Sequence, residues 1–221
     1  MGSKNRKQQA ETPRSAPRLY LVTPLVADAR AFAATIADAL TGTDIAAVLL
    51  RLEAGDERTQ INRVKAIAPL IQSAGAALIL DGHPEITAHS GADGAHLSGI
   101  EDFQAAASRL KPDRIAGAGG LHTRHDAMLA AESGADYVMF GEPDESGKRP
   151  LLDAVIERVS WWSEVFEIPC VAFASSVEEI GELAAAGADF VAVGDFVFAD
   201  PRGLAASLAD AASRLSAGVP A

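Results

Sequence analysis

Several residues that could bind or transform an anionic molecule stand directly after short apolar runs of the chain. Ser175 and Ser176 follow one run and open a helical pattern, where a serine hydroxyl either caps the helix or donates to an oxyanion. Gly194 follows another run and would let a ligand approach the backbone closely, whereas the neighbouring Asp195 would repel a phosphate dianion. His83 follows a third run and is either an acid or base near neutral pH or a solvated loop residue. These positions predict a site for a phosphorylated ligand, with one carboxylate that opposes it.

The elements that would carry these residues are indicated by an internal repeat. Four times, an alanine-rich amphipathic stretch ends at a glycine and an apolar run follows; the glycines are Gly75, Gly91, Gly134 and Gly187. A glycine just past the last helical turn adopts the left-handed conformation that closes a helix. An apolar run of about four to five residues is typical of a strand buried on both faces, as in a parallel sheet. The repeat therefore predicts consecutive helix–strand units.

The whole chain divides into eight such units. The predicted strands cover 19–23, 45–50, 76–80, 94–97, 114–117, 137–140, 170–173 and 190–193. The predicted helices cover about 28–41, 57–73, 84–90, 101–109, 124–133, 151–165, 177–186 and 202–216. This pattern predicts an α/β fold of the (β/α)8 TIM-barrel type, as a single domain over 19–221. An open doubly wound sheet is the alternative, but it usually shows a glycine-rich turn after its first strand, where this chain has Thr23-Pro24-Leu25.

A barrel would bring the polar residues that follow its strands to one face. In TIM barrels this face, at the carboxyl ends of the strands, carries the active site. Arg51 follows the second predicted strand, Asp81 the third, Lys148 lies in the loop after the sixth, and Asp195 comes shortly after the eighth. We therefore expect these side chains to surround a common site.

The composition excludes several classes of protein. The 221 residues carry a formal net charge of −11 and a pI near 4.8, which argues against a nucleic-acid-binding face. No apolar run reaches the roughly 18 uncharged residues of a membrane span, so none is expected. Cys170 is the only cysteine, which excludes an intramolecular disulfide framework and a thiolate zinc cluster, and it is predicted to be a core residue.

The first 18 residues differ in charge from the rest of the chain. The basic residues in this segment are Lys4, Arg6, Lys7, Arg14 and Arg18, against the single acidic residue Glu11. Because the segment also lacks apolar periodicity, we expect 1–18 to form a disordered N-terminal tail. It lacks the apolar core of a secretory signal, so a cytoplasmic location is expected.

Several motifs resemble those of one enzyme family. Residues 91–97 read GADGAHL and resemble the family's GADGVHL strand, which is the most specific match. Residues 19–23 (LYLVT), 168–172 (IPCVA) and 187–193 (GADFVAV) resemble its first, seventh and eighth strands. On these residues the chain resembles the superfamily of thiamine-phosphate synthases and TenI-like thiazole tautomerases, which are TIM barrels. The resemblance extends from Leu19 to about Pro201.

The resemblance implies a transferase of thiamine biosynthesis that joins a hydroxymethylpyrimidine diphosphate to a thiazole phosphate. At the matching positions, the catalytic cations would be Arg51 and Lys148. Mg²⁺, which holds the diphosphate in this family, would be bound by Asp81 and Asp102. A small phosphorylated substrate would thus be the ligand. The residues expected to bind its phosphate are Ser146, Ser175, Ser176, Gly194 and Asp195.

Other positions depart from the family pattern. The usual serine after the fifth strand is Gly119, and the lysine that follows the arginine of the second strand is Glu53. Glu53, Glu142 and Asp195 add negative charge, each opposing an anion at about 4 Å by roughly 4 kcal/mol at an effective dielectric near 20. We expect Asp195 to be buried and to occupy the phosphate position itself. The alternative function is therefore a divergent barrel without the transferase chemistry, either a TenI-like tautomerase or a protein that binds a small molecule or a partner.

Two further predictions concern aromatic residues. His96 lies on the fourth predicted strand and is interpreted as a core histidine rather than a catalytic one. Trp161 and Trp162 are adjacent on a predicted helix, so only one of them can face the sheet. The other would either contact a second subunit in a homodimer or pack over a neighbouring helix.

Overall fold

The computed structural model describes residues 16–144 and 146–218, and these form a closed barrel of eight parallel strands. Each strand pairs with the next one in the chain, and the last pairs with the first, so the sheet has no free edge. The strands are β1 Arg18–Val26, β2 Ile45–Leu52, β3 Ala77–Asp81, β4 Gly94–Ser98, β5 Ile115–Gly119, β6 Tyr137–Phe140, β7 Cys170–Phe173 and β8 Phe190–Val193. The predicted TIM barrel is confirmed.

Helices separate the strands and surround the barrel. They are α1 Ala29–Gly42, α2 Glu57–Ser73, α3 Pro84–Ser90, α4 Ile100–Leu110, α5 Arg124–Glu132, α6 Leu152–Val165, α7 Glu179–Ala185, α8 Asp195–Phe198 and α9 Leu204–Ala217. The short helix α8 is not predicted by the sequence pattern, because four residues are too few to show a helical period. No helix in the described part of the chain is long and apolar enough to cross a membrane. Of the predicted tail 1–18, residues 1–15 lie outside the described ranges, and β1 begins at Arg18.

Side chains of the strands alternate between two apolar layers. One layer fills the barrel interior and includes Tyr20, Val22 and Ile79. The other lies between the strands and the helices, and it includes Leu21 and Trp162. Because both faces of every strand are covered, the strands read as continuous apolar runs in the sequence.

The outer layer also holds the lone cysteine and the tryptophan pair. Cys170 is fully buried, as predicted. Trp162 is fully buried and donates its indole N–H to the Ile168 carbonyl at 2.8 Å. Trp161 is partly buried against the same layer, and the Arg124 guanidinium lies 4.7 Å from the centre of its ring. Trp161 therefore packs within its own chain, and the homodimer stays a prediction.

An aspartate before three of the strands joins neighbouring strands at the amino-terminal end of the barrel. The Asp189 backbone N–H donates to the Cys170 carbonyl at 3.1 Å, and the Asp189 carboxylate accepts the Cys170 N–H at 2.8 Å. Asp93 makes the same two contacts with Leu78, and Asp136 with Ala116. The Gly-Ala-Asp phrase of the repeat is thus explained: its glycine ends a helix, and its aspartate binds the first amides of the adjacent strand.

We predict that replacing Asp189 with alanine lowers the free energy of unfolding by about 1–3 kcal/mol. The reason is that the Cys170 amide, at the start of a fully buried strand, would lose its side-chain acceptor. Urea denaturation measures the change. Asp38→Ala, which removes an exposed aspartate of α1, is the matched control and should change stability much less. Equal effects of the two substitutions would contradict the role given to Asp189.

Candidate functional site

Arg51 and Asp81 meet at the carboxyl end of the barrel. Arg51 is near the end of β2 and Asp81 is the last residue of β3, and the two side chains form an ion pair of 3.7 Å. The Arg51 backbone N–H donates to the hydroxyl of the fully buried Thr23 at 3.0 Å, which fixes the end of β2 against β1. The side chains of Arg51 and Asp81 are 37% and 41% exposed, so both remain open to a ligand.

Deeper in the barrel, four polar side chains form a continuous hydrogen-bonded chain. His96 Nε2 lies 3.0 Å from Glu142 Oε1, and His96 Nδ1 lies 2.9 Å from the Tyr137 hydroxyl. The Tyr137 hydroxyl in turn lies 2.8 Å from the hydroxyl of Tyr20. Glu142 also accepts the backbone N–H of Gly120 at 3.1 Å. His96 is 1% exposed and the Glu142 side chain 19%, so this chain runs from the barrel interior to its mouth.

The chain of polar groups is possible only because two residues of β5 lack side chains. A Cβ atom on Gly119 would collide with both Glu142 Oε2 and His96 Nε2. A Cβ atom on Gly117 would collide with the ring of Tyr137. The serine that the family resemblance expects at Gly119 therefore could not coexist with Glu142 in its present position. Glu142 occupies the space that the serine side chain would need.

Burial and charge act in opposite directions on this chain. Burial tends to lower the pKa of His96, but the charges of Glu142 and Asp81 and the hydrogen bond to Glu142 raise it above its ordinary value. Burial tends to raise the pKa of Glu142, but His96 and the Gly120 amide lower it below its ordinary value. Burial raises the pKa of both Tyr20 and Tyr137, so these hydroxyls stay protonated. His96 and Glu142 are thus a buried ion pair with two tyrosine hydroxyls behind it.

When His96 is protonated, the direction of each hydrogen bond is fixed. Both imidazole N–H groups donate, one to Glu142 and the other to the oxygen of Tyr137. Tyr137 then donates to Tyr20. The interpretation of His96 as a core histidine is right about its burial. The sequence offered no sign of its partner, because Glu142 lies in the loop after β6, 46 residues away.

The loop between β6 and α6 holds two of the predicted site residues. The Asp144 carboxylate accepts the Ser146 N–H at 2.9 Å, the Ser146 hydroxyl at 2.6 Å and the Lys148 N–H at 3.0 Å. Ser146 therefore has its hydroxyl proton engaged within the loop. Lys148 is exposed, and its ammonium group makes no ion pair with any residue that the structure describes. Lys148 is free to meet a ligand.

The loop between β7 and α7 is organised around Glu179. The Ser175 N–H donates to Glu179 Oε2 and the Ser175 hydroxyl donates to Glu179 Oε1, both at 2.8 Å. Arg149 Nη1 donates to the same two oxygens at 2.9 and 2.8 Å. Ser176 is hydrogen-bonded to the Glu178 carboxylate, which lowers the pKa of Glu178. The two predicted phosphate-binding serines of this loop thus each have a carboxylate of the same chain as a partner, which the sequence did not reveal.

The region after β8 differs from the expectation for Asp195. Gly194 is buried and precedes α8, and Asp195 is the first residue of that helix. Asp195 is exposed, so the expectation that it is buried and occupies the phosphate position is wrong. The physical reason is that the first residue of α8 points its side chain to solvent, while Val197 packs into the core. Glu179, rather than Asp195, is the partly buried carboxylate that contacts the predicted phosphate-binding Ser175.

The two predicted Mg²⁺ ligands lie on successive units of the barrel. Asp81 ends β3 beside Arg51, and its Cα pairs in register with that of His96 on β4. Asp102 is exposed in the first turn of α4, where it lines a cleft of ≈ 300 Å³ together with Glu101 and Asp126. Among the described residues, no group of three or more His, Cys, Asp or Glu side chains is arranged to hold a metal ion by itself.

We predict that Gly119→Ser lowers the free energy of unfolding by about 2 kcal/mol, because the new side chain collides with Glu142 and His96. Adding Glu142→Ala should recover at least about 1 kcal/mol of the summed losses, since it removes one of the two side chains with which the serine collides. Urea denaturation of the four proteins gives this coupling. Gly42→Ser, at a position with no atom within 4 Å of an added Cβ, is the control. Simple additivity would refute the steric argument.

We predict that the stability difference between wild type and Glu142→Gln depends on pH. The folded pKa of His96 is raised, so its contribution is present in full below 6.5 and is lost as the pH rises through the folded pKa. The folded pKa of Glu142 is lowered, so its contribution is present above 4.5 and is lost as the pH falls through the folded pKa. Urea denaturation should show a difference that shrinks as the pH rises from 6 to 8.5.

The matched control for this pH dependence is Glu157→Gln, which removes a carboxylate that is 75% exposed and pairs with Arg124. Its stability difference from wild type should stay constant over the same pH range. A Glu142→Gln difference that is equally flat would show that His96 is neutral throughout.

Comparisons with known proteins agree with this architecture. The family model described as thiamine monophosphate synthase matches residues 19–197. The thiamine-phosphate synthase of Rhodospirillum centenum is 43% identical over 87% of this chain and 95% of its own, and that of Hyphomonas neptunium is 35% identical over 89% and 92%. The structure of a thiamine phosphate pyrophosphorylase from Pyrococcus furiosus superposes with a TM-score of 0.76 at 22% identity, covering 94% of this chain and 99% of that one. The chain therefore belongs to the thiamine monophosphate synthase family.

Proposed function

We propose that this protein joins a hydroxymethylpyrimidine diphosphate to a thiazole phosphate and releases pyrophosphate. The proposal rests on family membership and on one observation of the site: Arg51 and Asp81 form a half-exposed pair at the mouth of the barrel. A cation and a carboxylate that both remain open to solvent can receive a diphosphate and its counter-ion together. Relatives that carry the name thiamine-phosphate synthase favour the same chemistry.

The reaction requires one bond to break and one to form. The bond between the pyrimidine methylene carbon and the diphosphate oxygen breaks, and its electron pair leaves with pyrophosphate. The lone pair of the thiazole ring nitrogen forms the new bond to that carbon, and the ring becomes a cation. No proton needs to be transferred. The protein's task is therefore to align the two rings and to stabilise the charge of the leaving group.

Arg51 and Lys148 are the residues we propose for stabilising the leaving group. Arg51 is fixed through its backbone by Thr23, and Lys148 is exposed in the β6–α6 loop, at the same end of the barrel. Of the three carboxylates expected to oppose the diphosphate, Glu142 is paired with His96 inside the barrel. Because that pair is neutral as a whole, Glu142 opposes an anion less than an unpaired carboxylate would. The pairing of Glu142 with His96 therefore supports a transferase over a divergent barrel without that chemistry.

The carboxylates at the mouth of the barrel are suited to bind Mg²⁺ together with a diphosphate. In proteins Mg²⁺ is usually held by one or two carboxylates together with substrate phosphates and water, rather than by an all-protein cage. Asp81 is 41% exposed and its contact with Arg51 is 3.7 Å, so its carboxylate has free acceptor capacity, and Asp102 is exposed on the next unit. When bound, Mg²⁺ would neutralise part of the charge of the departing pyrophosphate. We propose Asp81 and Asp102 as its protein ligands.

The remaining site residues are proposed to hold the thiazole phosphate. Ser176 and the loop after β7 face a cleft of ≈ 440 Å³ that Phe196 of α8 also lines. Gly194 is buried at the start of that helix. In TIM barrels, phosphate groups commonly bind between the loops after the seventh and eighth strands. Since phosphorylated molecules do not cross a bilayer unaided, we also propose that the protein acts in the cytoplasm.

A turnover assay tests the function directly. Purified protein with the pyrimidine diphosphate, the thiazole phosphate and Mg²⁺ should form thiamine phosphate and release an equal amount of pyrophosphate. Wild-type protein that binds either substrate without forming product would instead support the divergent, non-transferase barrel.

We predict that Asp81→Asn raises the Mg²⁺ concentration for half-maximal activity at least about tenfold, because the amide that replaces the carboxylate is a weaker, uncharged ligand. A Mg²⁺ titration of turnover measures the shift. The matched control is Asp113→Asn, which removes an exposed carboxylate that precedes β5, at the opposite end of the barrel. An unchanged Mg²⁺ requirement in Asp81→Asn would remove Asp81 from the metal site.

A further inference from the structure

The Glu179 carboxylate is held by four hydrogen bonds that would equally suit a phosphate group. Its donors are the Ser175 N–H, the Ser175 hydroxyl and two bonds from Arg149 Nη1. An amide, a hydroxyl and a guanidinium converging on two oxygens are typical of sites that bind phosphates or carboxylates. None of these donors belongs to the amides of α7 itself. They come from the loops after β6 and β7.

Arg149 is fixed in this position independently of Glu179. Its Nη2 donates to the Phe173 carbonyl at 3.2 Å, and its side chain is 18% exposed. Its Nε is buried and has no hydrogen-bond partner among the described residues. A buried donor without a partner is costly, so it indicates that the cluster is not saturated by Glu179 alone.

A purely structural interpretation of Glu179 explains only part of this arrangement. A carboxylate that accepts the N–H and the hydroxyl of a serine four residues earlier would help to fix the start of a helix. Such a cap needs no arginine. The nearly buried Arg149, brought from a different loop with an unused Nε–H, is unexplained by capping.

We infer that Arg149 and Ser175 form a phosphate-binding site that Glu179 occupies as an internal anion. Phosphate enters only when the Glu179 carboxylate moves away or loses its charge. The inference rests on the proposed function in naming the thiazole phosphate as the ligand, and it identifies Arg149 and Glu179 as residues that set the affinity of the site for that group. Because Glu179 is covalently tethered beside these donors, a free anion meets a site that is already occupied.

The sequence predicted that Asp195 would occupy the phosphate position, and we assign this role to Glu179 instead. Both would be carboxylates at the phosphate-binding end of the barrel. Asp195 is exposed, whereas the Glu179 side chain is 15% exposed and directly contacts the predicted phosphate-binding Ser175.

Calorimetric titration with inorganic phosphate tests the inference without either substrate. Glu179→Gln keeps the size of the side chain and removes its charge, so it should bind phosphate at least tenfold more tightly than wild type. Glu182→Gln is the matched control, because Glu182 is an exposed residue of the same short helix. The control should bind phosphate like wild type. The double variant Glu179→Gln/Arg149→Gln should lose the gain.

Three results would overturn the inference: equal phosphate affinity in wild type and Glu179→Gln, an equal gain in Glu182→Gln, or a gain that survives the loss of Arg149. If Glu179→Gln fails to fold, the Ser175 amide resonance of wild type gives the answer. Sulfate at neutral pH should leave it unmoved, since Glu179 holds the amide, and a saturable shift would refute occupancy by Glu179.

Failure of this inference is distinguishable from failure of the proposed function. Turnover in wild type without any gain of phosphate affinity in Glu179→Gln would keep the transferase and reject the internal anion. A gain in phosphate affinity without turnover in any protein would keep the site and reject the transferase.

Discussion

Closure of the sheet is the constraint on which the rest of this structure depends. A parallel strand can bury both faces only if helices cover one side and other strands cover the other, and a closed barrel achieves this without exposing an edge. At the amino-terminal end of the barrel, an aspartate joins β4 to β3, another joins β6 to β5, and a third joins β8 to β7. These residues are Asp93, Asp136 and Asp189, respectively. The site residues lie at the opposite, carboxyl ends of the strands. Their loops, rather than the strands, can vary without loss of the barrel.

A line of polar side chains crosses the apolar interior of the barrel, from Tyr20 through Tyr137 and His96 to Glu142. A buried ion pair gains little net stability, because the charges lose their hydration, and it is retained where it fixes one arrangement of a site. Here it fixes the imidazole, orients both hydroxyls, and closes the space left by Gly119. The mouth of the barrel therefore departs from the family pattern at two positions together: the usual serine is absent, and a carboxylate fills its space. The imidazole beside that carboxylate balances its charge.

The fold was predictable from the sequence, whereas much of the site was not. The Gly-Ala-Asp repeat and the apolar runs are local signals, and they located all eight strands to within a few residues. The partners of the site residues are not local. Arg149 and Glu179 are 30 residues apart, and the pairing of β6 with β7 brings the segments after these two strands together. Asp195 was misjudged for a related reason, since a charge beside a buried glycine can still point to solvent.

The exposed cations at the mouth also have a kinetic consequence. The full chain carries a formal net charge of −11, and its field opposes the approach of any phosphorylated molecule at long range. At physiological ionic strength this field decays over about 8 Å, so an arriving substrate senses mainly Arg51 and Lys148 once it reaches the loops. The same field acts on pyrophosphate after it has left those two cations. The net negative charge of the protein thus favours the departure of the most highly charged product and lowers the chance that it rebinds.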